Sequence, residues 1–165
     1  MKKGLSTQIF IFIFALIMIV LVLGFGIKSL NTVKNTADKV ELLTFVTNLD
    51  EGIQEYYAFD VGSNKRVQLL LPKQIEEVCF ANPEEPLTTT HPNQELLFFL
   101  KTNKKDNLYT LPLDAFTNPA PDFIIENMIV PADKNPLCVK TQGRLDILIE
   151  TVLYNDQVFV QVQQP

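Results

Sequence analysis

Two cysteines, Cys79 and Cys138, are the residues with the widest chemical repertoire in this chain. Each lies in a short apolar run of the kind that forms β-strands. A metal site or a catalytic thiol needs further partners, and we expect the single histidine, His91, to be solvated in a loop before a proline. In an extracytoplasmic domain the pair is therefore predicted to form a disulfide, contributing on the order of 4 kcal/mol by closing a long loop. Two reduced core cysteines are the alternative.

The other polar groups show no catalytic or metal-binding pattern. Glutamate pairs at 76–77 and 84–85 lack a calcium-loop motif, so we interpret them as solvated faces. The three serines are not in a Gly-x-Ser-x-Gly setting, and no glycine-rich phosphate loop is present. The net charge is −5, with 14 Lys and Arg against 19 Asp and Glu, which argues against nucleic-acid binding. The sequence thus predicts no enzyme, no cofactor and no metal.

An apolar segment near the N-terminus predicts how these groups are positioned. Residues 9–27 carry no charged or hydrogen-bonding side chain, and as a helix they would extend about 28 Å. We predict a transmembrane helix over residues 5–27, in contact with a lipid bilayer, and a short basic leader at 1–4. A cleaved signal peptide is the competing interpretation. The short N-terminal flank and the cysteine pair favour a single-pass protein of the cell membrane, with its C-terminal domain extracytoplasmic.

The next segment, residues 28–60, is predicted to be an amphipathic stalk helix that continues the first helix and ends near Asp60. Its stripe could pack on the protein's own domain or on neighbouring copies. The apolar positions of the stripe are Leu30, Val33, Ala37, Val40, Leu43, Val46, Leu49, Ile53 and a tyrosine at 56 or 57.

The remainder, residues 61–165, is predicted to be a small antiparallel β-rich head domain. All ten prolines lie at or after Pro72, and the short apolar runs between turns include residues 95–101. Apolar and other residues alternate along 145–150 and 157–162, which is typical of half-buried strands. Turn residues at 142–143 and 155–156 predict a three-stranded meander over 137–162. The predicted fold class is α+β.

A resemblance covers the N-terminal third. Lys2, Lys3 and Gly4 as a basic leader, an apolar helix half and an amphipathic half resemble type IV pilin-like proteins, especially archaeal ones. The resemblance implies that a prepilin-type peptidase cuts between Gly4 and Leu5, and that the apolar half packs in a filament core. The family commonly carries a glutamate five residues after the cut, where this chain has Ile9.

The polar residue before that position offers a substitute for the glutamate. Gln8 could make a helix–helix contact by bonding a neighbour's amino terminus, or it could cap the helix together with Ser6 and Thr7. The resemblance implies a structural subunit of a surface filament or secretion machine, with copies of itself or other pilin-like subunits as partners. The alternative function is a membrane-anchored surface binding domain, and a tethered enzyme is a distant third.

Overall fold

A computed structural model describes the backbone at residues 4–113 and 123–165, with side chains at 9–25, 27, 29, 33, 36–113 and 123–165. The described helices are α1 (Gly4–Tyr57), α2 (Gln94–Thr102) and a short 3-10 helix (Ala132–Lys134). The strands are β1 (Asn64–Leu70), β2 (Glu77–Phe80), β3 (Leu108–Leu111), β4 (Met128–Ile129), β5 (Leu137–Lys140), β6 (Arg144–Tyr154) and β7 (Gln157–Gln163).

The chain divides into two compact units, Met1–Asp38 and Lys39–Pro165. In the first unit the described part is helical, and its large apolar side chains point to solvent in every direction. Over residues 9–25 these side chains are between 45% exposed, at Met18, and 74% exposed, at Phe25. Nothing within this unit covers them among the described residues.

The prediction of a transmembrane helix over residues 5–27 is wrong. Among the residues that the structure describes, no helix combines the length and the apolar character needed to cross a membrane.

In the second unit, the C-terminal part of α1 packs on the rest of the unit through one stripe. Leu42, Phe45, Leu49 and Ile53 are at most 2% exposed and belong to the main apolar core. Their steps of three, four and four residues stay close to the 3.6-residue turn, so the side chains share one face. The helix ends at Tyr57, where Thr151 Oγ1 donates a hydrogen bond to the Tyr56 carbonyl over 2.9 Å.

The stripe that the sequence predicted is displaced around the helix. Val40 and Leu43 are 58% and 53% exposed, although both belong to the predicted stripe. Each step of three residues turns about 300° around the helix axis, which is about 60° short of a full turn. Three such steps separate Val40 from Leu49, so the two side chains lie on opposite faces of the helix. Leu49 and Ile53 are the predicted members that are buried in the core.

Two sheets complete the second unit. A four-stranded sheet has the order β1-β6-β7-β4, and a three-stranded sheet has the order β3-β2-β5. The alternation predicted on β6 is confirmed, because Leu145, Ile147 and Ile149 are buried and the residues between them are half-buried. Asn155 and Asp156 form the hairpin turn between β6 and β7 with positive φ angles of 50° and 61°.

The predicted all-antiparallel sheet is wrong, because β4 pairs with β7 in parallel. A hairpin forces its strands to run antiparallel, but β5 and β6 come between β4 and β7 in the chain, so this pair is free of that constraint. The predicted meander is also wrong. β5 pairs with β2 in the three-stranded sheet and β6 pairs with β1 in the other, so the turn at Gly143 carries the chain between sheets.

Residues 95–101, an apolar run predicted as a strand, form helix α2 instead. The Asn93 side chain accepts hydrogen bonds from the backbone N–H groups of Glu95 and Leu96, which caps the first turn. Leu96 and Leu100, four residues apart, are the buried residues of this helix. The cap and the four-residue spacing outweigh the strand preference of the two phenylalanines.

We expect Leu49→Ala to lower the free energy of unfolding by about 2–5 kcal/mol, because it leaves a cavity in the main core. Leu43→Ala on the same helix is the matched control, and its effect should stay within about 0.5 kcal/mol because Leu43 is exposed. Urea unfolding followed by circular dichroism measures both. Equal losses would contradict the assigned helix face.

Candidate functional site

The candidate site lies on the face of the three-stranded sheet that points away from the main core. Cys79 on β2 and Cys138 on β5 are directly opposite each other in the antiparallel register. Their Cα atoms are 4.0 Å apart and their sulfur atoms 2.05 Å apart, so the structure holds the pair at disulfide distance. Cys79 is fully buried and Cys138 is half-buried. The two predicted cysteines are therefore brought together.

A histidine and a glutamate lie beside the cysteines. Glu77 precedes Cys79 by two residues, so the alternation of β2 places both side chains on one face. His91 Nε2 is 3.0 Å from Glu77 Oε2, and the two side chains are only 12% and 16% exposed. His91 Nδ1 accepts a hydrogen bond from the Asn93 backbone N–H over 3.1 Å. A neutral ring that accepts at Nδ1 donates to Glu77 from Nε2.

These groups converge closely enough to share a ligand. One ring nitrogen of His91 and the sulfur atoms of Cys79 and Cys138 all lie within 4.8 Å of one another. The prediction that His91 is a solvated loop residue is wrong, because its side chain is 12% exposed and lies beside Glu77 and the cysteines. The arrangement supports two kinds of chemistry: thiol–disulfide exchange at the cysteine pair, and coordination of a soft metal by reduced thiols with the imidazole.

Sequence reasoning missed His91 and Glu77 because their signals were weak. Glu77 stands two residues before a cysteine in a predicted strand, which is the only hint that it shares a face with the thiol. His91 stands two residues before Asn93, which caps α2. Recognising that cap would have placed the histidine at the entrance of a helix rather than in an open loop.

Buried Asn135 fastens the loop that leads to His91. Its side-chain nitrogen donates to the carbonyl oxygens of Asn82, Glu85 and Pro86 over 2.9, 3.1 and 3.3 Å, and its side-chain oxygen accepts from the Asn82 N–H over 3.0 Å. The Asn135 carbonyl accepts from the N–H groups of residues 88 and 89. A single residue without solvent exposure, through its side chain and its carbonyl group, thus anchors residues 82–89, shortly before His91.

An apolar cluster under α2 covers the cysteines. Tyr109 on β3 pairs with Cys79 in the register of the sheet and is 7% exposed. Burial, together with the nearby charge of Asp106, raises the pKa of Tyr109 to about 12. The phenol therefore stays neutral beside the cysteine pair. The buried members of the cluster are Cys79, Ala81, Leu96, Leu100, Tyr109 and Leu111.

The remaining predicted site residues lie elsewhere. Gly4, Leu5 and Gln8, the predicted cleavage and helix-contact residues, fall outside the residues whose side chains are described. Of the acidic pair at 84–85, Glu85 accepts a hydrogen bond from the Tyr154 hydroxyl, which raises the pKa of that phenol. This glutamate is therefore engaged in an internal contact.

Comparison of the chain with known protein families, with characterised proteins and with solved structures gives no match.

We expect Asn135→Ala to destabilise the protein by about 3 kcal/mol, because several partly buried backbone groups of the loop lose their partner. Asn48→Ala, at an exposed position of α1, should change stability by less than about 1 kcal/mol. Denaturant unfolding gives both values. A loss no larger than that of the control would show that Asn135 does not anchor the loop.

Stability should fall as the pH rises from about 10 towards about 12, in part because of Tyr109. The unfolded phenol ionises near its ordinary pKa of 10.0, whereas the folded phenol keeps its proton until about 12, so alkali stabilises the unfolded chain. Below pH 10 this contribution is fully present. Tyr109→Phe should show a flatter loss of stability over the same range in denaturant titrations. Identical slopes would contradict the burial of the phenol.

Proposed function

We propose that the protein is an extracytoplasmic structural subunit, similar to type IV pilins, which assembles side by side with copies of itself through residues 9–25 of α1. The observation that carries the proposal is the exposure of large apolar side chains on every face of this segment. Removing apolar surface from water stabilises by roughly 25 cal/mol per Å², so an uncovered segment of this kind favours association.

A second copy of the same segment is the best-matched partner. The segment carries no charge and no hydrogen-bonding side chain, so a partner surface must itself be apolar and uncharged. It is apolar all round, and several neighbouring helices are needed to cover every face. Identical copies packed in parallel supply such a surface. Small residues allow neighbouring helices to approach closely. Gly24 is such a residue, and its surface is open, because a Cβ added there would meet no atom within 4 Å.

An extracytoplasmic location is supported by the cysteine pair. Disulfides persist in oxidising compartments, and the sulfurs of Cys79 and Cys138 lie at disulfide distance. The proposal includes processing of the chain between Gly4 and Leu5 by a prepilin-type peptidase, which would place a new amino terminus at Leu5, three residues before Gln8. Gln8 directly precedes the apolar segment. If neighbouring copies packed through that segment, Gln8 of one copy would be near the amino terminus of the next and would bond it.

Assembly of the full chain tests the proposal. We expect the wild-type protein to sediment as large, regular assemblies that are visible by electron microscopy. Leu16→Glu should raise the dissociation constant at least tenfold, because a carboxylate would enter an apolar interface. Leu153→Glu is the matched control, since Leu153 is 60% exposed and Leu16 is 62% exposed. The control should assemble as the wild type does.

Two results would contradict the proposal. One is a wild-type chain that stays monomeric at all concentrations, and the other is equal loss of assembly in the two variants. N-terminal sequencing of protein from the native host adds an independent measurement. A mature chain that begins at Leu5 supports peptidase processing, and one that retains Met1 removes it.

A further inference from the structure

Three potential metal ligands meet on one face of the three-stranded sheet: the sulfurs of Cys79 and Cys138 and an imidazole nitrogen of His91. A carboxylate oxygen of Glu77, 3.0 Å from His91 Nε2, offers a fourth ligand beside them. They come from β2, β5 and the loop before α2. Thiolate, imidazole and carboxylate are the ligands that zinc uses in proteins.

The distance between His91 and Glu77 is close to that between two ligands of one tetrahedral ion. Zinc binds nitrogen and oxygen at about 2.0–2.2 Å, so two such ligands on one tetrahedral ion lie about 3.3 Å apart. His91 Nε2 and Glu77 Oε2 are 3.0 Å apart. Two thiolate ligands at about 2.3 Å lie about 3.8 Å apart, a separation available to cysteines on opposite positions of neighbouring strands once they are reduced. The imidazole and both sulfurs already lie within 4.8 Å of one another.

We propose that reduction of the Cys79–Cys138 pair creates a zinc site formed by Cys79, Cys138, His91 and Glu77. Disulfide formation and zinc binding are then alternative states of one site, selected by the redox conditions. The proposal goes beyond the structural role proposed above and does not depend on assembly.

The chemistry balances in two steps. A phosphine reductant with one water molecule converts the disulfide to two thiols and is itself oxidised to the phosphine oxide. Zinc then binds both sulfurs as thiolates, which releases two protons, one from each thiol. The imidazole stays neutral as its proton moves from Nε2 to Nδ1, and the Asn93 N–H that now bonds Nδ1 must turn to another acceptor.

Burial of the ligand side chains favours the binding of a metal cation electrostatically. Cys79 is fully buried, and the side chains of His91 and Glu77 are largely buried. Two thiolates and a carboxylate without a counter-charge would be costly in such surroundings, whereas a divalent cation offsets two of the three charges. The loop anchored by Asn135 and the cap of α2 hold His91 in place, which reduces the ordering required for binding.

The test compares the oxidised and reduced full chain. The oxidised form is identified by a mass about 2 Da below that of the reduced form. Zinc titration of the phosphine-reduced chain should show one site with a dissociation constant below about 1 µM, with the release of two protons. The oxidised chain should show no such site. Cobalt in place of zinc should give thiolate charge-transfer bands and the visible bands of a tetrahedral ion.

Variants identify the oxygen and nitrogen ligands. His91→Ala and Glu77→Gln should each raise the dissociation constant for zinc by about tenfold to 100-fold. Glu76→Gln, at the exposed neighbouring position, is the matched control and should bind zinc as the wild type does. Circular dichroism of each reduced variant, with and without zinc, records whether the domain is folded.

Three results would overturn the proposal. The first is equal zinc binding by the oxidised and reduced chains, and the second is unchanged binding in His91→Ala and Glu77→Gln. The third is a reduced chain that unfolds and is not refolded by zinc. Loss of assembly through residues 9–25 would leave all of these measurements unaffected, so failure of the two proposals can be told apart.

Discussion

Side chains along β2 alternate between two apolar clusters, and the rest of the second unit depends on that alternation. Val78 and Phe80 point into the main core, while Glu77 and Cys79 point to the opposite face. A shift of the strand by one residue would exchange the two sets, placing a carboxylate in the core and phenylalanine at the site. The packing of large apolar residues therefore fixes the register that brings Cys79 opposite Cys138.

Both faces of the three-stranded sheet are covered, and each cover has its own role. The main core, which includes the α1 stripe at Leu42, Phe45, Leu49 and Ile53, lies behind the sheet. On the other face, α2 covers the cysteines through Leu96 and Leu100. The site thus has a rigid apolar support behind it and a smaller apolar cover in front. Asn135, which lies just before β5, bonds the loop at 82–89 that follows β2 and leads towards α2.

Local chemistry explains what the sequence could predict. Strict alternation identified the buried residues of β6, and the Asn-Asp pair identified the β6–β7 turn. Each of these signals is carried by residues that are adjacent in the chain, so no distant contact is needed to read it. The cysteine pair was predicted from its redox context rather than from geometry. The helical character of the chain up to residue 57 followed from the absence of proline and the recurring apolar positions.

The failures arose where a distant contact decides between local possibilities. Two apolar stripes exist on the C-terminal part of α1, and only packing on the sheets selects the one with Leu42 and Phe45. Residues 95–101 suit a strand or a helix, and the Asn93 cap selects the helix. His91 reaches Glu77 only because Asn135 holds the preceding loop from a position 53 residues beyond Asn82. Such pairings between distant segments cannot be read from composition or periodicity.

Because strand β4 has only two residues, its neighbour β7 is a site where the protein can aggregate. Its neighbour β7 has the sequence Gln-Val-Phe-Val-Gln-Val-Gln, with no charge, no proline and high β-propensity, which is the composition of segments that form amyloid-like steric zippers. β6 pairs along the whole of β7 on one side, whereas β4 pairs only with Val160 and Gln161 on the other. Within the described residues, protection of that second side against cross-β stacking therefore rests on a short parallel strand, and detachment of Met128 and Ile129 would uncover it.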